Sequence, residues 1–172
     1  MEKWDVYDQD RKKLDKQITR GDAMEPNDFH VVVHVCIFNS KGEMLIQQRQ
    51  PFKHGWSNLW DLTCGGSAVA GDTSQQAASR ELSEELGLQY NFENMRPRFT
   101  MNFQNGFDDY YLIDSDVDLN SLTLQQEEVQ AVKWATQEEI LKMIEDGTFI
   151  PYYESIIQFL FEGRRGYGSI RL

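Results

Sequence analysis

Three glutamates, Glu81, Glu84 and Glu85, stand at i, i+3 and i+4 in the stretch "RELSEELGL". If that stretch is helical, 100° per residue puts their carboxylates within an arc of about 100°, with Ala77 at its centre. Like charges so spaced repel, at about 0.2–0.5 kcal/mol per pair in an isolated helix. Arg80, four residues before Glu84, relieves part of that repulsion. A hard divalent cation would relieve more, because such ions prefer several oxygen ligands. Acidic helix faces are ordinarily just solvated, so the surroundings must decide. Gly65-Gly66 comes before the helix, and the missing Cβ atoms let backbone approach a ligand closely. Five residues separate Gly66 from Asp72, and seven more separate Asp72 from Arg80.

This spacing resembles the Nudix box, whose pattern runs Gly, five residues, Glu, seven residues, then Arg-Glu-apolar-any-Glu-Glu-any-Gly-apolar. Gly66, Arg80, Glu81, Leu82, Glu84, Glu85, Gly87 and Leu88 match it, while Asp72 stands in place of a glutamate. The resemblance implies a Nudix-type α/β/α sandwich around a mixed sheet. It also implies Mg²⁺ or Mn²⁺ held by Glu81, Glu84, Glu85 and the Gly65 carbonyl, with Arg80 orienting the carboxylates. The reaction implied is attack of water on a diphosphate phosphorus in a nucleoside-diphosphate-type or related small substrate. Glu81, Glu84 or a later glutamate would take the proton. Glu128, and after it Glu127, lies just before a strand and fits that last role, although a surface charge pair is the plainer reading. Asp72, one methylene short, leaves its contact open, including any pairing with Arg80.

The region before the box is also similar to type I isopentenyl diphosphate isomerase, a Nudix-fold enzyme. Arg49 and Lys53 fall where that enzyme grips a diphosphate, and His30 matches one of its metal histidines. Its catalytic cysteine, however, aligns with Gly65, one residue after Cys64, and other metal histidines fall on Ala23 and Ser67. Glu81 stands where the isomerase has lost the box glutamate. Hydrolysis is therefore the leading expectation, with the isomerase or a catalytically weak ligand sensor as alternatives.

A net charge of −11 disfavours a nucleic-acid partner. It also gives Arg49 and Lys53 added weight as contacts for an anionic substrate. Two cysteines, Cys36 and Cys64, in apolar surroundings read as buried thiols. The charged N-terminus reads as no signal peptide, and no apolar run reaches the roughly 18 residues of a membrane span. The expectation is a cytoplasmic protein without a membrane partner. Oligomeric state is left open, a homodimer included.

The elements that must position these groups read as one Nudix domain over 1–172. It comprises an N-terminal extension (1–29), a core (30–162) and a C-terminal tail (163–172). Trp4 to Tyr7 reads as a short strand. "HVVVHVCIF", rich in β-branched residues, reads as a central strand with "EMLIQQR" returning antiparallel. Trp56 and Trp60 serve either loop packing or base stacking, and His34 reads as an interior histidine. Thr73 with Gln76 forms a capping box for a helix that Gly87 ends. "FTMNF" and "FDDYYLID" flank "QNG" as a hairpin, and "VQAVKW" is a further strand. Thr136 and Glu139 cap a helix, and Pro151 is expected at the first position of a last one.

Overall fold

The computed structural model describes residues 1–170; the last two residues of the expected tail, 171 and 172, lie outside it. A hairpin of β1 (Lys3–Tyr7) and β2 (Lys13–Thr19) opens the chain. Only β1 is expected from the sequence. Most of β2 is exposed, so it lacks the apolar alternation that signals a strand.

Seven strands form the main sheet: β3 (His30–Phe38), β4 (Met44–Arg49), β5 (Trp60–Asp61), β6 (Cys64–Ser67), β7 (Phe99–Phe103), β8 (Gly106–Asp114) and β9 (Val129–Ala135). Their order is β5-β4-β3-β8-β7, with β6 also paired to β3 and β9 to β4. β3 and β8 run parallel and the other pairs antiparallel, which makes the expected mixed sheet. β3 and β4 share one register pair, Phe38 with Met44, and then diverge. β6 pairs with β3 and β5 with β4, so residues 60 to 67 fill the gap between the diverging strands.

Alternation along β3 builds two cores. Val31, Val33, Val35 and Ile37 pack with Ala77, Ala78, Leu82 and Leu86 of helix α1 (Ser74–Leu86). On the opposite face, Cys36 and Phe38 pack with Ile140 of α2 (Gln137–Glu145) and with Ile157 and Leu160 of α3 (Glu154–Gly163). Helices therefore cover both faces of the sheet, as the α/β/α reading expects. Both cysteines are buried free thiols, and burial pushes both pKa values up. Among the described residues no helix is long and apolar enough to cross a membrane.

The expected hairpin forms, with "FTMNF" as β7, but its turn is one residue shorter than "QNG". Phe103 pairs with Gly106, so Gln104 and Asn105 make the turn and Gly106 begins β8. A Cβ at Gly106 would lie 2.3 Å from the His30 carbonyl, so glycine serves close strand approach there. Pro151 is not the first residue of α3, which starts at Glu154 without a side-chain cap. The Tyr152 hydroxyl donates to Asp61 at 2.8 Å, and that anchor holds the residues after Pro151 outside the helix.

Candidate metal and phosphate site

Thr73 and Gln76 do form the capping box of α1, and Gly87 ends the helix at φ 69°. These signals fix the register that turns Ala78, Leu82 and Leu86 inward and carries the three glutamates along one flank. The flank is not uniform. Glu84 is half-exposed, with its side chain 51% accessible. Glu81 is mostly enclosed, and Glu85 is only 5% accessible.

Arg80 organises the cluster. Its Nε donates to Asp72 Oδ2 at 3.1 Å, and its Nη1 donates to Glu81 Oε1 at 2.8 Å and Glu84 Oε2 at 3.2 Å. Nη2 donates to the Ser67 carbonyl at 3.0 Å, which ties α1 to β6. Asp72 thus reaches Arg80 despite its shorter side chain, closing the question its substitution raised. Burial alone would lower the Arg80 pKa, but Glu81 and Asp72 outweigh it and hold the guanidinium firmly charged.

The glycine pair forms the floor beneath Glu81. A Cβ at Gly66 would sit 2.3 Å from Glu81 Oε1, so any side chain there would expel the carboxylate. At Gly65 a Cβ would meet the Val33 carbonyl at 2.7 Å and His34 Nδ1 at 3.0 Å. Burial raises the Glu81 pKa against the pull of Arg80. Burial, reinforced by the charge of Glu81, raises that of Glu85 well above the ordinary carboxylate value. The Glu85 carboxylate accepts 2.7 Å from the amide of Gln47, a neutral donor, and no cation pairs with it among the described residues.

A buried carboxylate with only an amide for company, beside a second enclosed carboxylate, fits a hard divalent cation. No three Asp, Glu, His or Cys side chains among the described residues are already drawn together as a cage. Arg80 holds Glu81 and Glu84, while Gln47 holds Glu85.

Glu128 is half-buried in the turn before β9, and its charge reaches Glu85. Glu127 is exposed. Lys53 Nζ lies 2.6 Å from Glu128 Oε1, an ion pair across 75 residues that joins two separate expectations. The Gln50 amide also donates to the Gln126 and Val129 carbonyls, so the loop after β4 is docked against this turn. Arg49 ends β4 two residues beyond Gln47, where the register against β9 shifts. Its Nε is buried without a hydrogen-bond partner among the described residues. Gln47 was missed in the sequence, although a polar residue inside the apolar run "MLIQQ" was a usable signal. Phe52 and Trp56, 65% and 54% exposed, stand out from the loop, whereas Trp60 packs under Lys133. His30 stacks on Trp4 with ring centroids 4.3 Å apart, and among the described residues it belongs to no group of three side chains that could hold a metal.

The model of the NUDIX domain matches residues 28–153. The chain is 48% identical over 153 residues to an uncharacterized Nudix hydrolase of Listeria monocytogenes, covering 89% of this chain and 90% of that protein. It is 30% identical over 129 residues to an isopentenyl-diphosphate Delta-isomerase of Pectobacterium atrosepticum, covering 69% of this chain and 70% of that one. Among solved structures, a crystal structure from Deinococcus radiodurans superposes with a TM-score of 0.75 at 23% identity, covering 94% of this chain and 98% of its own. That last likeness concerns the fold.

Proposed function

Because the chain belongs to the Nudix family, we propose that it hydrolyses a diphosphate linkage in a small nucleoside-diphosphate-type substrate with the help of Mg²⁺ or Mn²⁺. Glu81, Glu84, Glu85 and the Gly65 carbonyl would hold the metal. When bound, the ion supplies charge neutralisation of phosphate oxygens and a water of lowered pKa. The chain's own residues do the rest. Arg80 keeps Glu81 and Glu84 turned to one side through its three carboxylate contacts. Arg49, with its unpartnered Nε, binds the diphosphate through the planar fork suited to phosphate oxygens. Glu128 is the candidate to accept the proton of the attacking water. In the ligand-free protein it is paired with Lys53, and an incoming phosphate that draws the Lys53 ammonium away would leave that carboxylate free to act.

The observation that carries this reading is the pairing of a buried, cation-free Glu85 carboxyl with the Glu81 carboxylate on its side-chain-free floor. The eight matched box positions agree with it, and the isomerase set is mostly absent from the sequence. The test is phosphate or nucleotide release from a panel of diphosphate compounds with Mg²⁺ and with Mn²⁺, using Glu84→Gln as control. Metal-dependent release that the variant loses supports hydrolysis. Conversion of isopentenyl diphosphate to its allylic isomer would instead support the isomerase.

A further inference from the structure

Asp72 is one methylene shorter than the glutamate of the box pattern, about 1.5 Å less reach, yet it meets Arg80 Nε at 3.1 Å. A retreat of only about 0.5 Å would take that contact to a length at which it is no longer a hydrogen bond. The missing reach has to come from the backbone. On both sides of Asp72 that backbone is held by the β1–β2 hairpin, which lies before residue 28, where the NUDIX match begins.

Residues 69 to 72 form a tight turn, with the Asp72 N–H donating to the Val69 carbonyl at 3.0 Å and Gly71 at φ 95°. Two donors of that turn go to β1. Ala70 N–H donates to the Lys3 carbonyl and Gly71 N–H to Asp5 Oδ2, both at 2.7 Å. Asp5 is buried and is itself fixed by β2: Lys13 Nζ lies 2.6 Å from Oδ2, and Gln17 donates to Oδ1 at 3.2 Å. On the far side of Asp72, Ser74 opens α1, and its hydroxyl donates to Asp109 Oδ2 at 2.5 Å. Asp109 is fully buried and takes a two-pronged contact from Arg11 in the hairpin loop, with Nη1 at 2.8 Å from Oδ1. Arg11 sits at φ 59°, left-handed backbone uncommon outside glycine, and that bend aims it inward. The hairpin is firmly packed: Val6 is fully buried, Tyr7 and Phe29 exchange backbone hydrogen bonds, and Trp4 stacks on His30. Glu2, just before β1, is near enough for its charge to be felt by Glu81.

We propose that the hairpin is a positioning element of the carboxylate site: Asp5 and Arg11 hold residues 70–74 from both ends, and that grip carries the short Asp72 side chain to Arg80. The proposal rests on the hydrolase reading and adds to it two positioning residues from outside the matched domain. Arg80 in turn fixes Glu81 and Glu84. The grip therefore reaches the candidate metal ligands through consecutive contacts, from Asp5 to Gly71, from Asp72 to Arg80 and from Arg80 to the glutamates. A longer side chain at residue 72 would reach Arg80 without the grip, so hairpin and side-chain length are interchangeable. A hairpin that only stabilised the fold would have no such dependence on the length of one side chain.

The experiment titrates Mn²⁺ alone, by calorimetry, into wild type, Asp5→Ala, Asp72→Glu, the double variant and Lys16→Ala, with chemical denaturation of each. Lys16 pairs with Glu25 and Asp28, so its loss loosens the hairpin away from the turn. Asp5→Ala should weaken Mn²⁺ binding by about tenfold, the scale of one lost charge-assisted hydrogen bond. Adding Asp72→Glu should bring binding back to within about threefold of wild type without restoring the lost stability. Lys16→Ala should stay within about twofold. Asp5→Asn, which keeps the side-chain shape, carries the same cycle should the alanine variant not fold, with an expected loss of about fivefold. Turnover of the diphosphate panel with Mg²⁺ should follow the same ranking in kcat, with KM within about threefold. If wild type hydrolyses nothing while the Mn²⁺ ranking holds, the hydrolase reading fails and the positioning role stands. Hydrolysis without rescue by Asp72→Glu is the reverse outcome. Unchanged Mn²⁺ binding in the Asp5 variants, a loss in Lys16→Ala as large as theirs, or no Mn²⁺ binding by wild type overturns the proposal.

Discussion

The Glu81 carboxylate rests directly on Gly66, so close that a Cβ on residue 66 would lie 2.3 Å from Glu81 Oε1. Glycine is needed there for space, and the space belongs to a candidate metal ligand. Gly66→Ala should therefore lower metal-dependent hydrolysis by about 100-fold or more, while costing only about 1–3 kcal/mol of stability, the usual range for overpacking. Activity assays and chemical denaturation of the same preparation check both halves. A variant that keeps full activity would separate Glu81 from the chemistry.

Arg80 serves four acceptors at once: Asp72, Glu81, Glu84 and the Ser67 carbonyl. A lysine ammonium cannot span that set, so Arg80→Lys should cost about 100-fold in kcat. Asp72→Glu restores the longer side chain and should stay within about threefold of wild type. Asp72→Ala removes one of the four contacts and should cost about tenfold. Steady-state kinetics on the three proteins tests this ranking, and a loss in Asp72→Ala equal to that in Arg80→Lys would contradict it.

Lys53 and Glu128 should behave as a coupled pair. Glu128→Gln removes the proton acceptor and should lower kcat by about 10²–10⁴-fold, the range for general-base loss. Lys53→Ala should act mainly on KM, since the phosphate then lacks a cation to draw. A double-mutant cycle measures the coupling. Strict additivity of the two losses would mean that the ion pair does not contribute to turnover.

His30 gives a pH dependence away from the site. Burial lowers its pKa below the ordinary 6.5, against a smaller opposite pull from Asp108. A histidine depressed in this way stabilises the folded protein above its unfolded pKa, and the contribution is lost as pH falls through the lower folded value. Its Nδ1 is buried without a partner among the described residues, and its ring is clasped by Trp4 and Phe103. The melting temperature should therefore fall as pH drops below about 6.5, the unperturbed histidine value. His30→Phe should flatten that fall. Parallel melts from pH 7.5 to 5 measure it, and an unchanged slope in the variant would place the pH sensitivity elsewhere.

Much of this arrangement is written locally. The box lies within 23 residues from Gly66 to Leu88, and each capping box joins residues only three apart. Short-range patterns of this kind survive without knowledge of the tertiary fold. What the chain hides are meetings between distant segments. Lys53 and Glu128 are each visible as charges, but nothing local says that they face one another. His34 reads as interior from its alternation with Val32 and Cys36. In the structure it is half-buried and bonded to Asp108, 74 residues away. Pro151 carries the right local signal for a helix start, yet the long-range anchor of Tyr152 on Asp61 moves that start to Glu154.

The central claim is that the Glu81, Glu84 and Glu85 flank supports water attack on a diphosphate phosphorus. Hydrolysis in ¹⁸O-labelled water, followed by mass spectrometry of the products, tests it most directly. The expected result is one label on a phosphate product, dependent on Mg²⁺ or Mn²⁺, abolished by chelation and lost in Glu81→Gln. Label-free isomerisation of isopentenyl diphosphate, or release that persists in the chelator, would contradict it.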